Sequence, residues 1–303
     1  MITILSGGTG TPKLIQGIKE IYPEEDITVI VNTVENEYFS GGYVAADCDT
    51  VMYTFADMID DEFFYGIIGD TFKIRNILIE MGTTELLKIG DMDRAIKIQK
   101  TILLEEGKTL SEIVEHQKNK LGVKAKIIPM SDEDSEIKII TKEYGELKFH
   151  DFLIKHQCEA EVVEVQYSDV KPSSGLIQAI ENADKIIIGP SNPITSIRPI
   201  IAIDGVEEAL KEKEVIAVSP FLGEGAFSGP AAKFMNAFRF EASSIGVAEL
   251  YKPFLKRFII DTKDEKMKEE IEKIIPNVQT TNTFMKTLED KINLAKFVLN
   301  EWK

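Results

Sequence analysis

The sequence predicts an α/β fold, doubly wound around a mostly parallel, Rossmann-like sheet, with a helical insertion and a small antiparallel β insertion. Three observations predict it. An apolar run at Ile2 to Leu5 leads at once into a glycine-rich turn and then a helical pattern. A β-branched run at Ile27 to Asn32 is of the kind that fills a parallel strand buried on both faces. Two later runs, ending at Ile188 and Val218, each pass directly into a polar loop, as where parallel strands deliver their loops to one ligand-binding edge. With 303 residues, 44% of them hydrophobic, the chain is long enough for a large core. The expected organisation is a single α/β domain over 1–303, with an insertion at about 50–170 that is helical over 50–120 and β-rich over 124–167.

The opening stretch, MITILSGGTGTPKLIQG, reads as strand, phosphate-binding loop and helix. Gly7, Gly8 and Gly10 permit backbone angles and close approaches that a Cβ forbids, so successive N–H groups can face an anion. A helix starting near Thr11 tolerates Pro12 in its first turn and brings Lys13 within reach of a phosphate. The spacing is neither GxxxxGK[ST] nor the dinucleotide fingerprint, whose third glycine is replaced by Lys13. A tight βα turn that needs glycine only for packing is the alternative reading. Thr9 and Thr11 complete the candidate phosphate loop.

After the second strand, TVENEYFSGGYVAADCDT is too polar and glycine-broken for a regular element, and it lies where ligands sit in open α/β sheets. Asp47 and Asp49 end this loop before a helical segment at Val51 to Ile59, either as caps or as groups for Mg2+ or acid–base chemistry. Four helical patterns follow up to about Lys120, among them DTFKIRNILIEMG and DRAIKIQKTILLEEG. Asp70 in GDTF is a second metal candidate. In KIGDMDR, Asp91 suits a helix cap, while Lys88 and Arg94 suit an anionic or carbonyl-rich ligand. Between Lys124 and Tyr167 the pattern alternates like a small β unit, expected at a sheet edge or a dimer contact.

The sheet pattern resumes with KIIIGPSNPITSIRPII, then EVIAVSPFLGEGAFSGPAAKFM with a helix beginning near Gly229, then RFIID at Arg257 to Asp261. A last helix spans Thr283 to Trp302, with Phe284, Leu288, Ile292, Ala295 and Val298 as its core or dimer stripe. The loops after the predicted strands converge on one crevice, where Asn32, Ser191, Asn192 and Ser219 offer hydrogen bonds and Gly189 and Gly223 permit backbone approach. A nucleotide or other phosphorylated ligand is the first expectation from these residues alone.

Composition narrows the partners. Asp plus Glu number 51 against 35 Lys plus Arg, so a net charge of −16 repels nucleic acid and anionic membrane. The two cysteines, Cys48 and Cys158, form neither a disulfide framework nor a zinc motif. No signal-peptide pattern and no long apolar run is present, which places the protein in the cytoplasm. His116, His150 and His156 fall in insertion contexts and read as structural.

Taken in order, SGGTGTPKL at Ser6, CDTVMYT at Cys48, IGDMDRA at Ile89, PMSD at Pro129, GPSNPITSIRPI at Gly189 and SPFLGEGAFSGPAAK at Ser219 resemble the 2-phospho-L-lactate transferase (CofD) family. The resemblance implies an archaeal enzyme of coenzyme F-420 biosynthesis. It would transfer a 2-phospho-L-lactyl group from lactyl-2-diphospho-5'-guanosine to the ribityl hydroxyl of the deazaflavin Fo, with Mg2+, releasing GMP. By motif position it implies Asp49 and Lys88, with Asp91 and Arg94 beside them, as Fo contacts. The glycine loop, with Asn32, Ser191 and Asn192, would take the guanosine diphosphate. Asp49 would be the catalytic group and, with Asp70, a metal candidate, and a homodimer is expected. Where relatives carry GDRDxATH, this chain has Ile96 and Lys97 in place of Thr and His, so no catalytic histidine is assigned there. The alternatives are a non-catalytic nucleotide-sugar-binding regulator of the same fold and, less favoured, a nicotinamide-dependent dehydrogenase, which wants a glycine at Lys13 and an acid near Asn32.

Overall fold

Isoleucine, valine and threonine fill the first two strands because both faces of the sheet are covered. In the computed structural model, which describes residues 1–223, 225–226 and 230–300, β1 (Ile2–Ser6) and β2 (Ile27–Val31) pair in parallel and are buried at every position. Helix α1 (Gly10–Lys19) connects them. The stretch expected to be irregular then forms a hairpin, β3 (Glu37–Phe39) and β4 (Gly42–Val44). Its SerGly turn has φ of +47° at Ser40 and +83° at Gly41, so the residues that break a longer strand are those a tight turn requires.

Helices α2 (Ala46–Phe55), α3 (Lys73–Glu80), α4 (Asp91–Glu105) and α5 (Leu110–Lys120) follow, the last opened by a Thr109–Glu112 capping box. α2 starts earlier than expected, so Asp47 and Asp49 lie inside its first turn, where acidic groups complement the helix dipole. KIIP, expected in the β insertion, is β5 (Lys126–Pro129), a main-sheet strand parallel to β2. The helices before it are therefore one long crossover, not a departure from βαβ alternation.

The insertion proper is antiparallel, β6 (Ile137–Thr141), β7 (Gly145–Lys148) and β8 (Val162–Tyr167), in the order β7-β6-β8. Of the two places expected for it, a sheet edge or a dimer contact, the first is not where it lies. Instead Ile137, Ile139, Phe149 and Val165 share a core with Val34, Ile194, Ile197 and Phe234, so the insertion sits above the loops that leave the strands.

The chain then runs through α6 (Leu176–Glu181), β9 (Lys185–Ile188), α7 (Arg198–Ile201), α8 (Val206–Lys211), β10 (Val215–Val218) and the short pair β11 (Phe221–Leu222) and β12 (Gly225–Ala226). After α9 (Ala231–Ala237) and α10 (Ser244–Tyr251) come β13 (Arg257–Asp261), α11 (Lys268–Ile271), β14 (Asn277–Thr281) and α12 (Leu288–Asn300). β14 escaped the sequence reading because NVQTT buries only Val278, the pattern of an edge strand. The predicted helix start at Gly229 and helix end at Trp302 lie outside the described residues. In α12, Ala295 and Val298 are buried as expected and Ile292 is half-buried, but Phe284 and Leu288 are 47% and 46% exposed, because Phe284 precedes the helix and Leu288 opens it.

All seven main strands are parallel, in the order β14-β13-β10-β9-β1-β2-β5. The winding reverses between β1 and β9, and that switch point is where an open α/β sheet leaves a crevice beyond its carboxyl ends. One core lies on each side of the sheet: Leu14, Ile15, Ile18 and Leu294 belong to one, Ile200, Leu210, Phe234 and Tyr251 to the other.

Candidate active site

The loops after β1 and β9 meet at the switch point with no room for side chains between them. A Cβ on Gly10 would stand 2.0 Å from the carbonyl oxygen of Pro190, and one on Gly189 would stand 2.3 Å from both Cγ2 and Oγ1 of Thr11. Ser191 completes the joint: its Oγ donates to the Gly7 carbonyl and accepts from the Thr11 N–H at 3.1 Å and the Thr11 hydroxyl at 2.6 Å. Thr11 and Ser191, both expected to bind phosphate, are thus buried and spent on joining the two loops. Asn192 accepts from the N–H groups of Ile194 and Thr195, opening the π-helical turn Pro193–Ile197 and presenting Ser196 toward Gly7 and Gly8.

Helix α2 brings an acid to the same place. Asp47 accepts from the Gly8 N–H at 2.8 Å and from Asn32 Nδ2 at 3.0 Å, while Gly8 holds φ at +56°. The Gly8 amide therefore faces a carboxylate, and the N–H groups of Thr9 and Gly10 are the ones left open at the N-terminus of α1. Burial pushes the Asp47 carboxyl up to about 6, against the two hydrogen bonds that favour its charge. Glu35, half-buried in the loop after β2, is held well above the usual carboxylate range, by burial first and by the charge of Asp47 second. Gly8, Thr9, Gly10, Glu35, Asn192 and Ser196, together with Phe149 and Leu153 from the insertion, line a solvent-open crevice of about 200 Å3.

Two adjacent carboxylates with raised proton affinity beside open helix-terminal amides can share a proton or hold a divalent cation against an anionic ligand. Among the described residues no group of three or more His, Cys, Asp or Glu is arranged for a metal, so such a cation would take its remaining ligands from water and phosphate oxygens. Sequence reading had noticed Asp47 without choosing it and had passed over Glu35 and Ser196. The signal for Glu35 and Ser196 was their position in a loop after β2 and a turn after β9, whereas Asp47 lies in the first turn of α2.

Other predicted residues have different surroundings. Asp49 is 2% exposed, with Lys100 on Oδ1 and Lys97 3.2 Å from Oδ2, so two ammonium groups stand where a metal would be needed. Asp70 accepts from the N–H groups of Thr71, Met92 and Asp93 and caps α4, not a cation. Asp91, expected to cap its own helix or meet Fo, accepts from Thr71 Oγ1 and the N–H groups of Lys73 and Ile74 at the start of α3. The Thr71 hydroxyl first, then those amides, hold its carboxyl below the usual range. Arg94 is buried against Glu85 at 2.5 Å and reaches the Ser40 carbonyl. Lys13 lies over the Phe64 ring beside Lys291, and burial first and the Lys291 charge second lower its pKa. Lys88 alone of this set is exposed, its ammonium 4.6 Å from the Phe72 ring and 5.9 Å from that of Phe63. Asn32 is fully buried and bonded to Asp47, which leaves no acid at the end of β2 for a dinucleotide ribose.

Around Asp49 the space between α2, α4 and the β3–β4 hairpin is rich in charge. Tyr53 donates to Asp93, Lys97 pairs with Asp93, and Tyr65 Oη, Asp93 Oδ2 and Glu85 Oε1 are buried without a hydrogen-bond partner. Buried polar atoms left in this state mark a place that a polar ligand or water completes.

A family model described as 2-phospho-L-lactate transferase CofD matches residues 2–293. A protein named 2-phospho-L-lactate transferase from Methanothermobacter thermautotrophicus is 54% identical over 301 residues, covering 99% of this chain and 98% of its own. One of the same name from Methanocaldococcus jannaschii is 48% identical, covering 99% and 97%. The crystal structure of a member of the UPF0052 family from Bacillus halodurans superposes with a TM-score of 0.63 at 14% identity, covering 98% of each chain, a likeness of fold.

Proposed function

The chain belongs to the 2-phospho-L-lactate transferase CofD family, and from that premise we propose that it transfers a 2-phospho-L-lactyl group from lactyl-2-diphospho-5'-guanosine to the ribityl hydroxyl of Fo, giving coenzyme F-420-0 and GMP. The observation that carries this reading is the joint of Gly8, Asp47, Asn32 and Ser196 at the β1/β9 switch point, where open amides and the Glu35 carboxylate face one crevice and the buried Asp47 carboxylate lies behind the Gly8 amide. The donor diphosphate lies at the Thr9 and Gly10 amides, at the positive end of α1. Asp47 and Glu35, not Asp49 and Asp70, would hold Mg2+, which would neutralise the charge that two acids and a diphosphate otherwise concentrate in one place.

The attacking hydroxyl forms a bond to the phosphorus that carries lactate, the bond from that phosphorus to the bridging oxygen breaks so that this oxygen leaves on GMP, and the hydroxyl proton passes to water. Such transfer depends on positioning more than on covalent participation by the protein. Fo lies on the α2/α4 side, against Lys88 with Phe63 and Phe72 and against the charge-rich layer of Asp49. A protein of this kind acts where the cofactor is made, in the cytoplasm, and among the described residues no helix is long and apolar enough to cross a membrane.

Calorimetric titration with Fo and with GDP, each with and without Mg2+, tests the reading. Both ligands should bind, and Mg2+ should strengthen GDP binding; a chain that binds nucleotide but not Fo is the regulator instead.

A further inference from the structure

The small β insertion takes no part in the chemistry above, yet it is fastened to the loop that carries Glu35. Thr33 Oγ1 and Ser135 Oγ form a buried pair at 2.7 Å. Glu37 Oε1 accepts from Lys148 Nζ at 2.8 Å, and Glu37 Oε2 lies 3.2 Å from His150 Nδ1. Between these ties Val34 is 3% exposed, in one core cluster with Ile137, Ile139 and Phe149. His150 stands edge-on to Phe39 at 4.9 Å, which secures the strand that follows. Glu35 is therefore flanked on both sides by anchored residues, and a segment pinned before and after it has few backbone states left to lose when a ligand binds.

We infer that β6–β8 and the turn after them form a positioning frame for Glu35, and that Glu37, through Lys148 and His150, is the residue by which the frame holds that carboxylate toward Asp47 and the crevice. This rests on the reading of Glu35 and Asp47 as the cation-binding pair. Glu37 touches no substrate in this arrangement; it is a positioning residue. Its partner Lys148 has a side chain 61% exposed, so the tie adds little to global stability and its loss should show in the site before it shows in the fold.

The test uses the full chain and isothermal calorimetry of Mg2+ binding in the presence of saturating GDP, with melting temperature and GDP affinity in EDTA measured alongside. Glu37→Gln should weaken Mg2+ about 10-fold, as loss of a partner that orients a metal ligand does, with melting temperature and metal-free GDP affinity unchanged. Lys148→Met, which leaves the Glu35 loop untouched, should move Mg2+ affinity in the same direction and serves if Glu37→Gln impairs folding. Asp47→Asn is the control. If it abolishes Mg2+ binding while neither Glu37→Gln nor Lys148→Met changes the affinity, the frame is overturned and the cation pair stands. Unchanged Mg2+ affinity in Asp47→Asn would overturn the pair and the frame with it.

Discussion

At neutral pH Asp47 works against the fold that contains it. Its carboxyl is pushed up to about 6 from an ordinary 3.8. Between those values the unfolded chain has released a proton that the folded chain still holds, so raising the pH from about 4 to 6 removes stability, on the order of 3 kcal/mol, and the loss persists above 6. Asp47→Asn should make that fall in stability shallower in denaturant titrations without Mg2+, the remainder coming from Glu35, and Mg2+ should stabilise the natural protein at pH 7 more than the variant. Equal pH slopes for the two proteins would refute it. Asp49, two residues on, should behave in the opposite sense: Asp49→Asn leaves Lys97 and Lys100 short of a buried counter-charge and should cost roughly 3 kcal/mol, read as a fall in urea midpoint. The sequence put both acids near the site and, by motif position, favoured Asp49, while in the structure it is Asp47 that meets the glycine loop. Residues two apart on a helix point roughly 200° apart, so once α2 begins at Ala46 one acid meets the Gly8 amide and the other meets α4. Helix phase, not residue type, decides which is which, and phase depends on a starting residue that no capping motif announces.

At the scale of elements, the periodic helices and the continuous apolar strands were legible, while β3, β4 and β14 were not, because a three-residue hairpin and a polar edge strand bury too little to leave a pattern. Asp70 and Asp91 show a further pairing that spacing hid: each caps the other's helix, Asp91 serving α3 and Asp70 serving α4. Asp70→Ala should cost about 1–2 kcal/mol by thermal melting, with Mg2+ affinity unaffected; a change in Mg2+ affinity would restore it as a metal group. Gly17 is as demanding. A Cβ there would stand 2.2 Å from the Lys291 carbonyl oxygen, so Gly17→Ala should push α12 off α1 and destabilise by about 2 kcal/mol or more, while GDP affinity in the surviving folded protein stays normal.

Over the whole molecule, α3 buries none of its residues, and Ile68, Ile77 and Met81 are all more than half exposed. We propose that the chain forms a homodimer through this face, since apolar surface of this kind seldom stays open to water. Two copies that each carry −16 repel, so dimerisation measured by sedimentation should tighten as salt rises from low ionic strength, and Ile77→Lys with Met81→Lys should give monomers. A salt-insensitive monomer in the natural chain would remove the proposal. The order of the strands sets a clock as well. β1 is made first but its neighbour β9 lies far along the chain, and the bond from Thr11 to Ser191 spans 180 residues. A ribosome adding roughly 5–20 residues each second leaves the glycine loop without its partner for about 10–40 s. Nascent chains halted before Ser191 should retain no guanine nucleotide, so synthesis itself withholds ligand from every product too short to use it.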